Sequence, residues 1–374
     1  MYLAIREMKF AKVRYSLIAI IMLLVAFLVL FVTGLARGLA YDNAASIQNM
    51  SATHFIMEKE SNHRFTRSQL GEGVLAQAGS IAGEKNVEPL GVKMTTVTPA
   101  GKAHKLDVTL LAVKPEGWLM PAVAEGTAIT SRSEGQVLVD DQLKESGIGI
   151  GSEILDQASG MKWTVSGFVS QESFSHSPAV FLNERDWQQL QIRSASRQEA
   201  NGTATDISYS AIAVKASKEQ AKQLAALPDT EVVTKKDAVS AIPGFKEEQG
   251  SLLMMIVFLF VISAFVLAVF FYVITIQKSS QFGLLKAIGT RTAYLVRSVA
   301  LQVLLLSIGS LVVSALLVQA IEAALPSGMP FQLDVATLAG TCGAFIGMSL
   351  IGSLFSVWQV TRIDALDAIG RTAA

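Results

Sequence analysis

The stretch IQNMSATHFIMEKESNH, starting at Ile47, gathers side chains able to ligate a metal centre: Met50, His54, Met57 and Glu58. If the chain continues as a helix, Met50, His54 and Glu58 fall at i, i+4 and i+8 on one face. If it turns into a strand at Thr53, His54 and Glu58 share one face and Met57 points to the other. Both geometries keep His54 with Glu58. The same residues have an ordinary use, with Met50 and Met57 filling irregular gaps in a core and Glu58 and Lys59 forming a solvated edge.

Other chemistry is poorly provided for. The single Cys342 excludes a disulfide framework, a CxxC redox pair and a cysteine-rich zinc site. The 4 histidines show no HExxH spacing. The most glycine-rich run, GIGIGSE, ends in an acid and lacks the lysine of a phosphate-binding loop, so this chain does not hydrolyse ATP alone. With no nucleophile, metal or phosphate motif behind it, the chain reads as a non-enzyme. Its 31 basic and 31 acidic residues cancel, which argues against nucleic acid as a partner.

The elements that must position these residues begin with four apolar windows, Leu17–Ala36, Leu252–Ile276, Ser298–Ala320 and Val335–Val360. Each is long enough to cross a hydrocarbon core of about 30 Å. The first follows Arg6, Lys9, Lys12 and Arg14, and Gly38-Leu39-Ala40 offers a small-x-small cleavage site. Its apolar stretch exceeds a usual signal-peptide core, so it reads as an uncleaved anchor. None of the windows contains Asp, Glu, Lys, Arg or His, which removes ion-coupled transport, proton relays and voltage sensing. Lys278, Lys286, Arg291 and Arg297 collect between the second and third windows, whereas Glu322 and Asp334 lie between the third and fourth. That bias puts both termini and the 277–297 loop of a multi-pass membrane protein in the cytoplasm.

The expected organisation is an amphipathic N-terminal helix over 1–16, a first transmembrane helix with an outward extension over 17–49, an extracytoplasmic α+β domain over 50–245, and three transmembrane helices over 246–374. The domain predicts strands at Thr53–Lys59, Lys105–Val113, Ala179–Leu182 and Ala211–Lys215, a helix after the strand in GQVLVDDQLKESG, a helix capped by Asn183, and a hairpin about Ala158-Ser159-Gly160. Trp118, Trp163 and Trp187 are expected to pack in it, and Trp358 to anchor the fourth span at an interface. His63, His104 and His176 receive no role. Gly34-x-x-x-Gly38, and Gly343-x-x-x-Gly347 with Gly340 and Gly352, suit close helix contacts, with internal packing expected for the fourth span.

The loop QKSSQFGLLKAIGTRTAYLVRS predicts a short coupling helix within 278–290. Phe282, Leu285 and Ile288 fall at i, i+3 and i+6, Leu284 and Ala287 widen that face, Gly289 can stop the helix left-handed, and Thr290 can cap the next one. Here the sequence resembles the FtsX-like, MacB-type permeases of ABC transporters, whose loop carries a G-L-L/M-K/R-A-L/I-G run. The start YLAIREMKFAKVRYSL and the tail WQVTRIDALDAIGR agree, with Ala365 where the family often has proline. The resemblance implies a homodimer bound to two copies of a cytoplasmic ABC ATPase, which holds ATP and magnesium. It also implies that Phe282, Leu284, Leu285, Lys286, Ile288 and Gly289 dock in a groove of that ATPase.

Within that family, the short ends and single outside domain are most similar to the haem-exporter group. The resemblance implies haem as cargo, taken from membrane lipid, with no permanently bound cofactor. Haem iron accepts His, Met and carboxylate ligands, which makes Met50, His54, Met57 and Glu58 the candidate set, and Met254, Met255 and Phe258 a candidate apolar wall. Permeases for antimicrobial peptides, lipids or lipoproteins, and a non-transporting signal relay, remain the alternatives within the family.

Overall fold

Long runs of Leu, Ile, Val and Phe without a charge have no reason to break, and in the computed structural model each apolar window lies inside one continuous helix. The structure describes residues 12–198, 207–278, 281, 283–285, 288–326 and 328–361. Residues 1–11 of the N-terminal helix, Phe282, Lys286 and Ala287, the side chain of Trp358 and the tail from 362 lie outside the described residues. The chain divides into two compact units, one made of 1–38, 250–326 and 331–374, the other of 39–249 with 327–330. The inserted unit thus starts ahead of residue 50, because Ala44 and Ile47 already belong to its core.

The four membrane helices are α1 (Lys12–Asp42), α7 (Phe245–Gln277), α8 (Thr292–Glu322) and α9 (Val335–Thr361). In the membrane unit Tyr15, Ile18, Met22, Ala26 and Leu30 recur at helical spacing along α1 and pack with Val303, Leu311 and Val318 of α8 and Phe345 of α9. Ser310 and Ser314 of α8 donate to the Ala19 and Leu23 carbonyls at 3.2 and 2.9 Å, the polar glue that replaces a hydrophobic drive between helices in lipid. Gly34 lies under the Phe331 ring, where an added Cβ would come within 2.3 Å of a ring carbon. Among the described residues an added Cβ at Gly340, Gly343 or Gly347 would meet nothing within 4 Å, and Gly352 alone of that stripe faces a neighbour, Ala268 at 3.6 Å. The expectation of internal packing for the fourth span is corrected to that extent: most of its glycine face is uncovered within the subunit.

Among the described residues the inserted unit is built on an 11-stranded sheet ordered β13-β1-β12-β3-β4-β10-β6-β8-β5, with β7 and β9 branching from it; β1 is His54–Glu58, β5 Glu125–Gly126, β9 Ser173–Phe174 and β13 Thr230–Thr234. Its centre is β3 (Val87–Pro99), long enough to pair with β12 (Ala211–Val214) at one end and with β4 (Leu106–Ala112) and β7 (Glu153–Asp156) further along. β10 (Ser177–Leu182) runs parallel to β4, and β6 (Gln136–Asp140) parallel to β8 (Lys162–Val169). The expected hairpin forms between β7 and β8, with Gly160 at φ +70° and the Asp156 carboxylate accepting from the Ser159 amide at 2.8 Å. Asn183 caps its helix as expected, Oδ1 accepting from the Asp186 amide at 2.8 Å. The helix expected after β6 is only a single 3-10 turn, Asp141–Lys144, stopped by Gly147 at φ +72°. Trp163 and Trp187 are buried in this unit, and Trp118 packs half-buried against its core with Nε1 donating to the Lys85 carbonyl at 3.2 Å.

Candidate functional site

The loop between α7 and α8 is anchored before it is displayed. Lys278 follows the last residue of α7 and is buried, 3% exposed, with Nζ donating to Tyr15 Oη at 2.7 Å and to Gln302 Oε1 at 3.3 Å. Tyr15 also donates to Gln302 Oε1 at 2.9 Å, so one polar knot joins the first turn of α1, the end of α7 and the body of α8. Beyond it, Ile288 N–H donates to the Leu284 carbonyl at 3.1 Å and Thr290 N–H to the Leu285 carbonyl at 3.0 Å. Gly289 closes the turn at φ +93°, the conformation its position called for. The N-cap of α8 is Arg291 and not Thr290, and it makes no side-chain cap. Leu284 and Ile288 are 61% and 74% exposed, one helical turn apart, an apolar face left uncovered among the described residues. Leu285 is half-buried, so Leu284 and Ile288 present the face.

The metal-ligand candidates fall on different elements. A short helix, α2 (Ala45–Asn49), ends at Met50, and β1 (His54–Glu58) follows. The chain therefore takes the strand geometry, and the helical i, i+4, i+8 set does not exist. Met50 is 4% exposed and Met57 0%, both inside the apolar cluster with Phe55, Phe65 and Phe174. Their thioethers are core filler, and the candidate ligand set is corrected to exclude them. The physical reason is that β1 lies between β12 and β13 and is covered on both faces. His54 and Glu58 stay at the half-buried strand ends. His54 Nδ1 lies 3.0 Å from Thr53 Oγ1, and Glu58 Oε2 accepts from the Gln69 amide at 3.1 Å. Met254, Met255 and Phe258 on α7 are 57%, 44% and 58% exposed, an apolar surface with soft sulfur atoms.

A second polar knot holds the entry and exit of the inserted unit. His176 Nδ1 lies 3.0 Å from Asp42 Oδ2 and its Nε2 3.0 Å from Glu248 Oε2, while Asn43 Nδ2 donates to the same Glu248 oxygen at 2.6 Å. A neutral ring donates to one of the two carboxylates, an imidazolium to both. Beside it, Asn49 donates to Glu172 Oε1 at 3.1 Å, and the Glu172 amide donates to Asp140 Oδ2 at 2.6 Å. Burial pushes the Asp140 and Glu172 carboxyls up to about 7 each, against the lowering pull of those hydrogen bonds.

Sequence reading missed both knots. Gln302 was visible as a polar residue in an apolar span, a signal that a partner must exist, but Tyr15 lies 287 positions away and no spacing rule connects them. His176 carried no signal, since its partners are 134 and 72 positions distant.

Comparison with known proteins adds a second line. Residues 253–365 match the FtsX-like permease C-terminal family model. Over 370 residues, covering 99% of both chains, the sequence is 30% identical to a Staphylococcus haemolyticus protein named as a hemin transport system permease, HrtB. The corresponding Staphylococcus epidermidis (strain ATCC 12228) protein is 28% identical over 373 residues, again 99% of each. An uncharacterized ABC transporter permease of Mycobacterium tuberculosis (strain H37Rv) is 24% identical over 374 residues, 99% of each chain. Among solved structures, the periplasmic region of MacB from Actinobacillus actinomycetemcomitans superposes with TM-score 0.34 and 14% identity over 54% of this chain and 97% of that one.

Proposed function

The chain belongs to the FtsX-like permeases of ABC transporters, and from that premise we propose that it is the membrane subunit of an ATP-driven exporter that clears haem from a bacterial cell membrane to the outside. The observation that carries this reading is the 30% identity to the HrtB-named permease across 99% of both chains. The lysines and arginines of the 277–297 loop set both termini in the cytoplasm, where a pair of ABC ATPases hydrolyses ATP and this non-catalytic subunit receives the stroke. Leu284 and Ile288 supply the apolar face for that docking. The Lys278, Tyr15 and Gln302 knot ties the loop to α1 and α8, so a push on the loop moves helices and not a slack linker.

Haem enters sideways from lipid. The apolar windows carry no charged residue to mark a route through the bilayer, while Met254, Met255 and Phe258 offer an apolar wall at the domain-proximal end of α7. His54 and Glu58 remain as candidate iron ligands from the inserted unit. In a two-fold homodimer the same surfaces face each other, so one planar ligand is gripped from both sides and the stoichiometry is one haem per dimer.

Absorbance titration of haem into the purified dimer tests this, using the unmodified protein, His54→Ala, Glu58→Ala and the Met254→Ala, Met255→Ala pair. The expected result is one site per dimer and about tenfold weaker binding in at least one variant. Two independent sites, or unchanged binding in every variant, place the cargo site elsewhere and favour a peptide or lipid cargo. In the same preparation Ile288→Asp is expected to keep haem binding and lose the co-purifying ATPase, because it puts a charge into an apolar groove.

A further inference from the structure

Away from these residues, the inserted unit holds an open pocket of about 580 Å³ whose wall carries Arg64, Arg67 and Lys246 together with Asp237 and Glu247. Three cations against two carboxylates leave a local excess of one positive charge. Asp237 already accepts from Thr234 Oγ1 at 2.6 Å, and His63, on the pocket's flank, has its Nε2 3.0 Å from Glu231 Oε2. Among the described residues neither guanidinium, nor the Lys246 ammonium, has an ion pair or a side-chain hydrogen bond. The backbone that aims the arginines is bent for the purpose: Asn62 and His63 are consecutive left-handed residues at φ 54° and 60°, and the Arg64 amide then donates to the Ser61 carbonyl at 3.2 Å.

The height of this pocket follows from one helix. Lys246 is the second residue of α7, and the apolar window opens six residues later at Leu252, roughly 9 Å along the axis. A headgroup layer is about 5 to 7 Å thick on each side of the hydrocarbon, and a lysine or arginine stem spans the difference. We infer that the pocket holds the phosphodiester headgroup of an anionic phospholipid, phosphatidylglycerol, from the leaflet facing the inserted unit. The two guanidiniums and Lys246 take the phosphate oxygens as charge-assisted donors. The two carboxylates, which would repel a second phosphate, accept from the glycerol hydroxyls. The inference is independent of the cargo, because none of the candidate haem residues lines this pocket.

The test is native mass spectrometry of lipid retained by the full-length protein extracted from nanodiscs of an equimolar phosphatidylglycerol and phosphatidylcholine mixture, without haem. Phosphatidylglycerol is expected to be enriched, and Arg64→Gln with Arg67→Gln to lower that enrichment about tenfold. Equal retention of both lipids by the unmodified protein overturns the inference, as does undiminished enrichment in the double variant. Should the double variant melt early, Lys246→Gln alone, on an exposed residue, must still reduce the enrichment, and its failure to do so is equally fatal. Inorganic phosphate at millimolar concentration should not strip the lipid; if it does, the pocket serves a soluble anion.

Discussion

Strand β1 and helix α7 both run through apolar sequence, yet the inserted unit seals β1 while the membrane unit leaves α7 bare. Phe55, Ile56 and Met57 of β1 are 0% exposed, and the strand is hydrogen-bonded along both edges. On α7, Leu253, Val257, Ile262 and Phe265 are 63%, 52%, 60% and 71% exposed, and its buried positions reduce to Ser263, Leu267, Phe271 and Thr275. The inserted unit therefore carries its own stability, whereas the membrane unit depends on lipid or a second copy to cover it.

Truncation separates the two most sharply. Phe55 stacks edge-on against Phe65 with ring centroids 5.3 Å apart, and Phe55→Ala is expected to cost about 3–5 kcal/mol. Phe265→Ala on the bare helix should cost below about 1 kcal/mol by thermal melting of the full chain, because the residue has little cavity to leave. A loss of several kcal/mol at Phe265 would mean that a second subunit covers it.

The acid pair gives the inserted unit a pH dependence of its own. Both carboxyls are raised by burial to about 7, so the folded form holds its protons more tightly than the unfolded chain. The stability they confer is full below the unfolded carboxyl range near 4 and is lost as pH rises through about 7. Stability should fall between pH 4 and pH 8 by up to about 3–4 kcal/mol for each of the two carboxyls. Glu172→Gln keeps the oxygen that accepts from Asn49 and should flatten much of that slope; an unchanged slope would assign it elsewhere.

Glycine substitution resolves the smallest difference. Gly34→Ala drives a methyl into the Phe331 ring and should destabilise by about 1–3 kcal/mol. Gly343→Ala and Gly347→Ala point into open space and should be neutral, or gain up to about 1 kcal/mol from helix propensity. A clear loss of dimer on cross-linking in either variant would identify that stripe as the face the second subunit covers.

The four spans and several strands were legible because their signals are local, although the helices overrun the apolar windows and the central strand β3 was not foreseen. Thr53–Lys59 and Lys105–Val113 were expected, and His54–Glu58 and Leu106–Ala112 form, since β-branched and aromatic runs bounded by turns carry that information. Met50 and Met57 misled because a thioether reads alike as ligand and as filler, and only the pairing of β1 between two strands decides between them. The uncovered Gly343 face misled for a related reason: GxxxG predicts a close approach but not whose backbone approaches. Lys278 looked like one more cation in a basic loop; its burial depends on Tyr15 and Gln302, residues that the linear order keeps far apart.

The knot at His176 bears on how such a chain can change over evolutionary time. Asn43, at the entrance of the inserted unit, and Glu248, at its exit, are joined directly at 2.6 Å. A segment whose two ends meet on one hydrogen bond behaves as a cassette: it can be exchanged, enlarged or trimmed without altering the gap its hosts must bridge. The membrane helices can thus stay constant while the part that meets the outside world is rewritten, and a grafted domain needs to bring only two ends a hydrogen bond apart.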